Sequence, residues 1–420
     1  MVGRLSRSAI LHIGSEKTGS TAIQSMLVSR RDALDRLGYW YASSPGVDTH
    51  SALAMYAAPE YADDLLEAFP GGAFNEQEFF HSLANEIAAL PSHVRTVIFS
   101  SEHCQSRLIT IEHVAKLHAL LSPYFDTITV IVYLRRQDEM AASLYSTRLR
   151  GGEPVADILS SFDQSEFFWA RYFNYEQLLD RYAHVFGKSF VKPRIYEPNA
   201  LLQGNAVHDF LNICGLPFWL AEEAAMVNRA IPADGQTFLL ALNVWHAASG
   251  YSPNHDRAKP VRDACALIAE ERLQGRPMRP ARDEAQHFYE IFRASNERVR
   301  EAWFPDRSSL FLEDFSQYPA SADDAIDTHK AALRAAFVII EELVRERGDV
   351  ENKLNAVKDT FHASMSWRVT APLRAASQAR RTCRTERFLC RARRYLDAFR
   401  RKVLRANPVS DDQVLKSPES

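Results

Sequence analysis

The 420-residue sequence predicts an α/β fold: a parallel sheet flanked by helices, followed by a helical C-terminal extension. Three observations predict it. Residues 8–13, 96–100 and 127–134 are continuous apolar runs with β-branched character, the pattern of strands covered on both faces. Helical patterns at 76–90 and 111–121 precede the second and third of these runs. The first run ends at Gly14 and leads into a helix from about Ser20, so the chain opens as strand, glycine-containing turn, helix.

Each element has its own reason. In the first helix Ile23, Met26, Leu27, Leu34 and Leu37 hold one face, and Gly38 is a natural stop. Residues 190–196 read as a weaker strand because Pro193 sits inside it, which favours an edge position. From 209 to 303 the pattern is mostly helical, with loops around 249–256 and 275–280, and helix is expected again over 321–347. The polar stretch 348–359 reads as a linker. The expected division is therefore a domain over 1–347 and a linker with a basic helical tail over 348–420. No internal repeat or low-complexity tract is visible.

Apolar content of 46% and charged content of 25% are ordinary globular values. No apolar stretch approaches the length of a membrane span, and the apolar part of the N-terminus is too short for a signal peptide. The five cysteines are odd in number and scattered, with no CxxC pair. They read as reduced thiols in a cytoplasmic protein, without zinc or disulfides. The net charge of -3 hides an asymmetry. Residues 366–405 carry 13 Lys and Arg against two acidic residues, a net of +11; residues 406–420 carry -2, which leaves -12 for residues 1–365. An acidic body with a basic tail implies an anionic partner for the tail.

Residues 12–24 read HIGSEKTGSTAIQ. A glycine-containing loop between a strand and a helix N-terminus is an anion cradle, because backbone N–H groups and the helix dipole point at the ligand. Nucleotide-triphosphate loops read G-x-x-x-x-G-K-[ST]. Gly14 and Gly19 keep that spacing, but Ser20 follows Gly19 and the lysine, Lys17, sits inside the loop. From there it can reach the bridging oxygen of a shorter phosphosulfate. A second anion grip follows the run 127–134, where Arg135 ends a strand and Ser143 lies eight residues on, two turns into the next helix.

These residues resemble the family of sulfotransferases that use 3'-phosphoadenylyl sulfate (PAPS), of the bacterial carbohydrate and glycolipid type. The segment IGSEKTGSTAIQ is similar to the family's 5'-phosphosulfate loop, and Arg135 with Ser143 resembles its 3'-phosphate site. The resemblance covers strand and loop elements of roughly the first half of the chain. It implies a P-loop NTPase-like fold and PAPS as donor co-substrate, with no metal. Lys17 would grip the donor and stabilise the leaving group, with Gly14, Thr18, Gly19, Ser20 and Thr21 around the phosphosulfate. Arg136 and Gln137 stand where the family often has Asn-Pro. Tyr196, in Arg194-Ile195-Tyr196-Glu197, resembles a tyrosine beside the donor nucleotide, although Pro198 replaces the usual Asp. Asn228-Arg229 is a candidate substitute for a further donor loop.

Sulfuryl transfer also requires a group that removes the acceptor's proton. Glu102 directly follows the strand 96–100 and Ser101, and in a parallel sheet the strand carboxyl ends face the ligand crevice. Glu102 resembles the strand-end glutamate of carbohydrate sulfotransferases. His50, before a helix, resembles the base of some bacterial relatives, and the choice between the two stays open. His103 and His12 are weaker candidates, His12 reading as a core histidine.

The expected acceptor is a hydroxyl of a glycan or glycolipid in surface-polysaccharide modification. Residues 366–374, SWRVTAPLR, resemble a tail found on bacterial enzymes of polysaccharide assembly. Its arginines alternate with apolar residues, which suits peripheral contact with an anionic membrane, at its inner face, or with an assembly complex. No nucleic-acid recognition motif accompanies the charge, so no nucleic acid is expected. A P-loop kinase or NTPase, and a non-catalytic nucleotide- or glycan-binding relative, are the alternatives.

Overall fold

The computed structural model describes residues 6–62, 65, 66, 69, 72–221, 230–320, and positions 335, 336, 338–340, 342, 343 and 345. The chain divides into two compact units, Met1–Ile340 and Glu341–Ser420. In the second unit the described residues Glu342, Leu343 and Arg345 are helical, and Arg345 pairs with Glu342. Most of the expected helix over 321–347, the linker and basic tail over 348–420, and Asn228-Arg229 lie outside the described residues.

The first unit is built on five strands: β1 Ser8–His12, β2 Tyr39–Tyr41, β3 Thr96–Ser100, β4 Thr127–Leu134 and β5 Val191–Ile195. They form one sheet in the order β2-β3-β1-β4-β5, every neighbouring pair parallel. The α/β class and the parallel sheet flanked by helices are therefore present. Pro193 sits in β5, which is an edge strand, as its missing N–H requires.

The pleat sorts side chains to two cores. Ile10, Ile98, Ile131 and Tyr133 face one way, against α1 (Ser20–Ser29), α2 (Arg31–Arg36) and α10 (Ala206–Cys214). Leu11, Val97, Phe99, Val130 and Val132 face the other way. The helices on that side include α3 (Ser51–Ala57), α4 (Glu76–Ala89), α5 (His103–Arg107), α6 (Ile111–Leu121), α7 (Gln137–Gly151), α8 (Phe167–Tyr172) and α9 (Tyr175–Phe186). Then follow α11 (Ala233–Ala248), α12 (Ala258–Arg272), α13 (Arg282–Glu290) and α14 (Arg293–Trp303).

Two elements depart from the sequence reading. The first helix is two, broken at Arg30, whose φ of -111° and ψ of 17° leave the helical region. Apolar spacing runs through that break, since Ile23 and Leu34 belong to the same core. The three-residue strand β2 is also new; it extends the sheet beyond β3.

Two ion pairs with fully buried carboxylates fix the strand ends. Asp209, fully buried, accepts from the Tyr133 hydroxyl at 3.1 Å, from Arg194 at 3.0 and 2.6 Å, and from the Leu202 N–H at 3.2 Å. Arg136, 3% exposed, forms a fork with Asp138 at 2.8 and 3.0 Å and donates to the carbonyls of Leu312 and Asp314. Its guanidinium lies 4.2 Å from the Phe315 ring centroid, and the Tyr318 hydroxyl donates to Asp138. This cluster clamps residues 312–318 onto the start of α7. Removing the carboxylate strands a buried guanidinium, so Asp138→Ala should cost about 3–5 kcal/mol of stability. Denaturant unfolding checks it; a midpoint equal to wild type would refute the clamp.

Candidate functional site

The loop after β1 is anchored to β4 beyond the strand itself. The Ile13 N–H donates to the Ile131 carbonyl at 2.9 Å, the Tyr133 N–H to the Gly14 carbonyl at 2.7 Å, and the Ser15 hydroxyl to the Tyr133 carbonyl at 2.8 Å. Gly14 (φ 83°), Lys17 (φ 63°) and Gly19 (φ 81°) are all left-handed. Such turns aim successive N–H groups inward, the geometry of an anion nest. The Thr18 hydroxyl donates to the Ser15 carbonyl at 2.6 Å and closes the loop. Gly19 caps α1 without any side-chain hydrogen bond, so the first amides of that helix remain for a ligand. Ser20 is buried in the first turn and Thr21 is exposed beside it.

Lys17 is half-buried, and its ammonium makes no hydrogen bond or ion pair among the described residues. Burial pulls its pKa below the ordinary lysine value; Glu16 and Glu102 oppose that, while Arg150 and Arg135 add to it. A lysine held left-handed costs on the order of 1 kcal/mol or more, and the structure braces it: Arg135 Nη1 donates to the Lys17 carbonyl at 2.8 Å. Arg135 also pairs with Glu139 at 3.4 Å and lies 5.5 Å from the Tyr196 ring centroid. Tyr196 in turn lies against Gly19: a Cβ added there would stand 3.7 Å from its ring. The structure thus brings Lys17, Gly19, Arg135 and Tyr196 together. Ser143 sits half-buried on α7 with no side-chain hydrogen bond among the described residues.

Glu102 opens α5 directly against the loop. A Cβ at Gly14 would fall 2.7 Å from the Glu102 Cβ and 2.8 Å from its Cα. Its Oε2 accepts from the Gln24 amide at 2.6 Å, and Oε1 makes no hydrogen bond among the described residues. His50 is differently placed. It is fully buried, its Nδ1 accepts from the Ser100 N–H at 3.0 Å, and its Nε2 donates to the Ala42 carbonyl at 2.9 Å. Both ring nitrogens are occupied, the ring stacks on Tyr41, and burial pushes its pKa down to about 3. His50 ties the segment after β2 to the end of β3 and has no free nitrogen for a proton. His12 is likewise fully buried, with Nδ1 on the Ser100 hydroxyl at 2.8 Å and its pKa pushed down to about 3.

Gln24, Arg150 and the group around Glu16 carried no role in the sequence reading. Gln24 stands one turn beyond Ser20 in the loop motif, and a buried glutamine there was the available signal. Glu16 accepts from the Tyr172 hydroxyl at 2.8 Å and pairs with Arg107 at 3.5 Å, so it favours the charge of Lys17 without pairing with it. Arg150 acts on Lys17 from α7 and pairs with Glu270; nothing in the sequence distinguishes it from other surface arginines. Among the described residues, no group of three or more His, Cys, Asp or Glu is arranged to hold a metal. The described cysteines Cys104, Cys214 and Cys265 are buried and free. No helix among the described residues is long and apolar enough to cross a membrane.

No family model matches the chain. An uncharacterized protein of Archaeoglobus fulgidus is 25% identical over 221 residues, which are 52% of this chain and 55% of that protein. The chain thus spans about half the length of the curated relative it matches. The crystal structure of a sulfotransferase from Alicyclobacillus acidocaldarius aligns with a TM-score of 0.38 at 14% identity, covering 59% of this chain and 97% of that one.

Gly14 carries two demands, a positive φ and the close approach of Glu102. Gly14→Ala should therefore lose about 1–3 kcal/mol through backbone strain, plus the cost of moving Glu102. Gly72→Ala is the control, because Gly72 is also left-handed but has nothing within 4 Å. Denaturation should show the larger loss at Gly14; equal losses would mean that the contact with Glu102 carries no constraint.

Proposed function

We propose that the chain is a sulfotransferase that moves a sulfuryl group from PAPS to a hydroxyl of a glycan or glycolipid during surface-polysaccharide modification. The observation that carries this reading is Lys17: an unpartnered, half-buried ammonium inside a left-handed anion loop, with Arg135 bonded to its own carbonyl. A lysine after the second glycine, as a nucleoside triphosphatase would have it, is missing; Ser20 stands there.

The residues present fit the donor. The loop amides, Lys17 and the α1 N-terminus would hold the 5'-phosphosulfate, Arg135 with Ser143 the 3'-phosphate, and Tyr196 the nucleotide. The donor supplies an activated sulfuryl group. Glu102 takes the proton of the acceptor hydroxyl while the acceptor oxygen bonds to sulfur and the bond to the bridging oxygen breaks. Lys17 stabilises the charge left on that oxygen, and the products are a sulfate ester and 3',5'-ADP. Positioning and charge stabilisation dominate such a loose in-line transfer. Gln24 holds Glu102 towards the loop through its 2.6 Å hydrogen bond. The bonding of His50 at both nitrogens supports the choice of Glu102 as the base in this reading.

The depressed pKa of Lys17 has a sign. Holding the ammonium charged in its site costs stability at pH values below that lowered pKa, and a bound polyanion offsets the cost.

Turnover of radiolabelled PAPS with fractionated surface glycans and glycolipids tests the reading. Glu102→Gln should lower turnover by about 10²–10⁴-fold, as expected for loss of a general base. Lys17→Ala should lower it as well, whereas His50→Gln should act through stability. Full turnover in Glu102→Gln would remove Glu102 from the chemistry, and absence of transfer to every fraction would count against the sulfotransferase reading.

A further inference from the structure

A cavity of about 410 Å³ opens between α9, α8 and the segment that joins α5 to α6. It is large enough for a small ligand, since such sites run from about 300 Å³ upward. It is separate from the phosphate loop but shares two supports with it. Arg107, just before this segment, pairs with Glu16 of the loop, and Tyr172, next to the lining residue Arg171, donates to the same carboxylate.

One lining residue is out of keeping with an empty groove. Arg181 is 6% exposed, its Nε is buried without a partner, and its guanidinium makes no ion pair or hydrogen bond among the described residues. Charged groups are almost never this buried unless paired, because desolvating an ion costs several kcal/mol. Burial lowers its pKa to about 10. Asp180 acts on it from a distance, but among the described residues no acid pairs with this most buried of the charged lining side chains.

The other walls say what kind of counter-charge fits. Arg171 lines the same cavity, with its guanidinium 3.5 Å from the Phe167 ring centroid, so one side of the opening is a cation on an aromatic face. Asp180 is the carboxylate of the wall; it lies at the exposed edge, where partial desolvation and Glu176 raise its pKa against the opposing pull of Lys188, Arg181 and Arg298, and it forms no ion pair with Arg181. Two guanidiniums against one carboxylate leave a single net positive charge. Thr110 and His184 add hydrogen-bonding atoms, while Ile111 and Phe167 add an apolar rim. A planar fork such as Arg181 suits an oxyanion with two or more coplanar acceptors.

We propose that this cavity is a second anion site, which takes a singly charged oxyanion, a sulfate ester or a carboxylate, on Arg181 and Arg171. The same chemistry is offered by a free small anion and by a substituent on a sugar, and the apolar rim favours the sugar-borne form. The site stands independently of the reaction proposed at the phosphate loop.

The Nε–Hε NMR signal of Arg181 in the full chain reads the site directly, and Arg181→Met assigns it by its loss. Methyl sulfate, acetate and glucuronate are titrated at constant ionic strength against sodium chloride. A saturable shift with methyl sulfate, acetate or glucuronate, absent with chloride, is the expected result. Tighter binding of glucuronate than of acetate identifies the sugar-borne source, and equal binding the free anion. Arg171→Gln should weaken binding about tenfold or more, and Lys17→Ala should leave it unchanged, which separates this site from the phosphate loop. Arg181→Met replaces an unpaired buried charge by an apolar chain, so it should fold at least as stably as wild type without anion and lose the anion-dependent rise in melting temperature. A signal unmoved by all three anions, or moved equally by chloride, overturns the proposal. So does an anion-dependent stabilisation retained in Arg181→Met.

Discussion

The site depends on the parallel pairing of β1 with β3 on one side and β4 on the other. That pairing sets three strand ends side by side: Gly14 after β1, Glu102 after β3 and Arg135 after β4. Register then does the rest. The ladder between β1 and β4 runs on through Gly14 and Ser15, so the loop leaves the sheet already fixed against Tyr133. On the other flank Glu102 comes so close that only glycine fits at position 14. Neither the loop nor the carboxylate could hold its place without the two neighbours of β1.

The loop is electrostatically incomplete. Lys17 is held in a left-handed conformation, partly desolvated, and pushed further by two guanidiniums. Arrangements that cost stability in the free protein are characteristic of sites whose ligand restores the balance. Glu16 and Glu102 favour its charge from nearby but pair elsewhere, Glu16 with Tyr172 and Arg107 and Glu102 with Gln24. Ion pairs elsewhere are complete, as at Arg136 with Asp138 and Arg194 with Asp209. The contrast marks Lys17, and separately Arg181, as cations that have no ion pair or hydrogen bond among the described residues.

What could be read in the sequence follows from how local each signal is. Strands β3 and β4 are visible because burial on both faces makes them unbroken apolar runs, and both begin and end where those runs do. β2 is only three residues at a sheet edge, too short for any period to show. The break at Arg30 is hidden because Ile23 and Leu34 still reach one core across it. The placement of Lys17, Glu102 and Arg135 around one loop could be read because each follows a recognisable strand. His50 is not, since its partners are backbone atoms of Ala42 and Ser100, eight and fifty residues away. Arg181 is the extreme case: one arginine in an amphipathic helix reads as solvated, and only tertiary packing removes its water.

The proposed function requires the two grips, Lys17 in the loop and Arg135 with Ser143, to hold a nucleotide phosphorylated at both the 5' and the 3' position. Isothermal titration calorimetry of the full chain with 3',5'-ADP, ADP and ATP tests it most directly. 3',5'-ADP should bind far more tightly than ADP or ATP. Equal or stronger binding of ATP would contradict it.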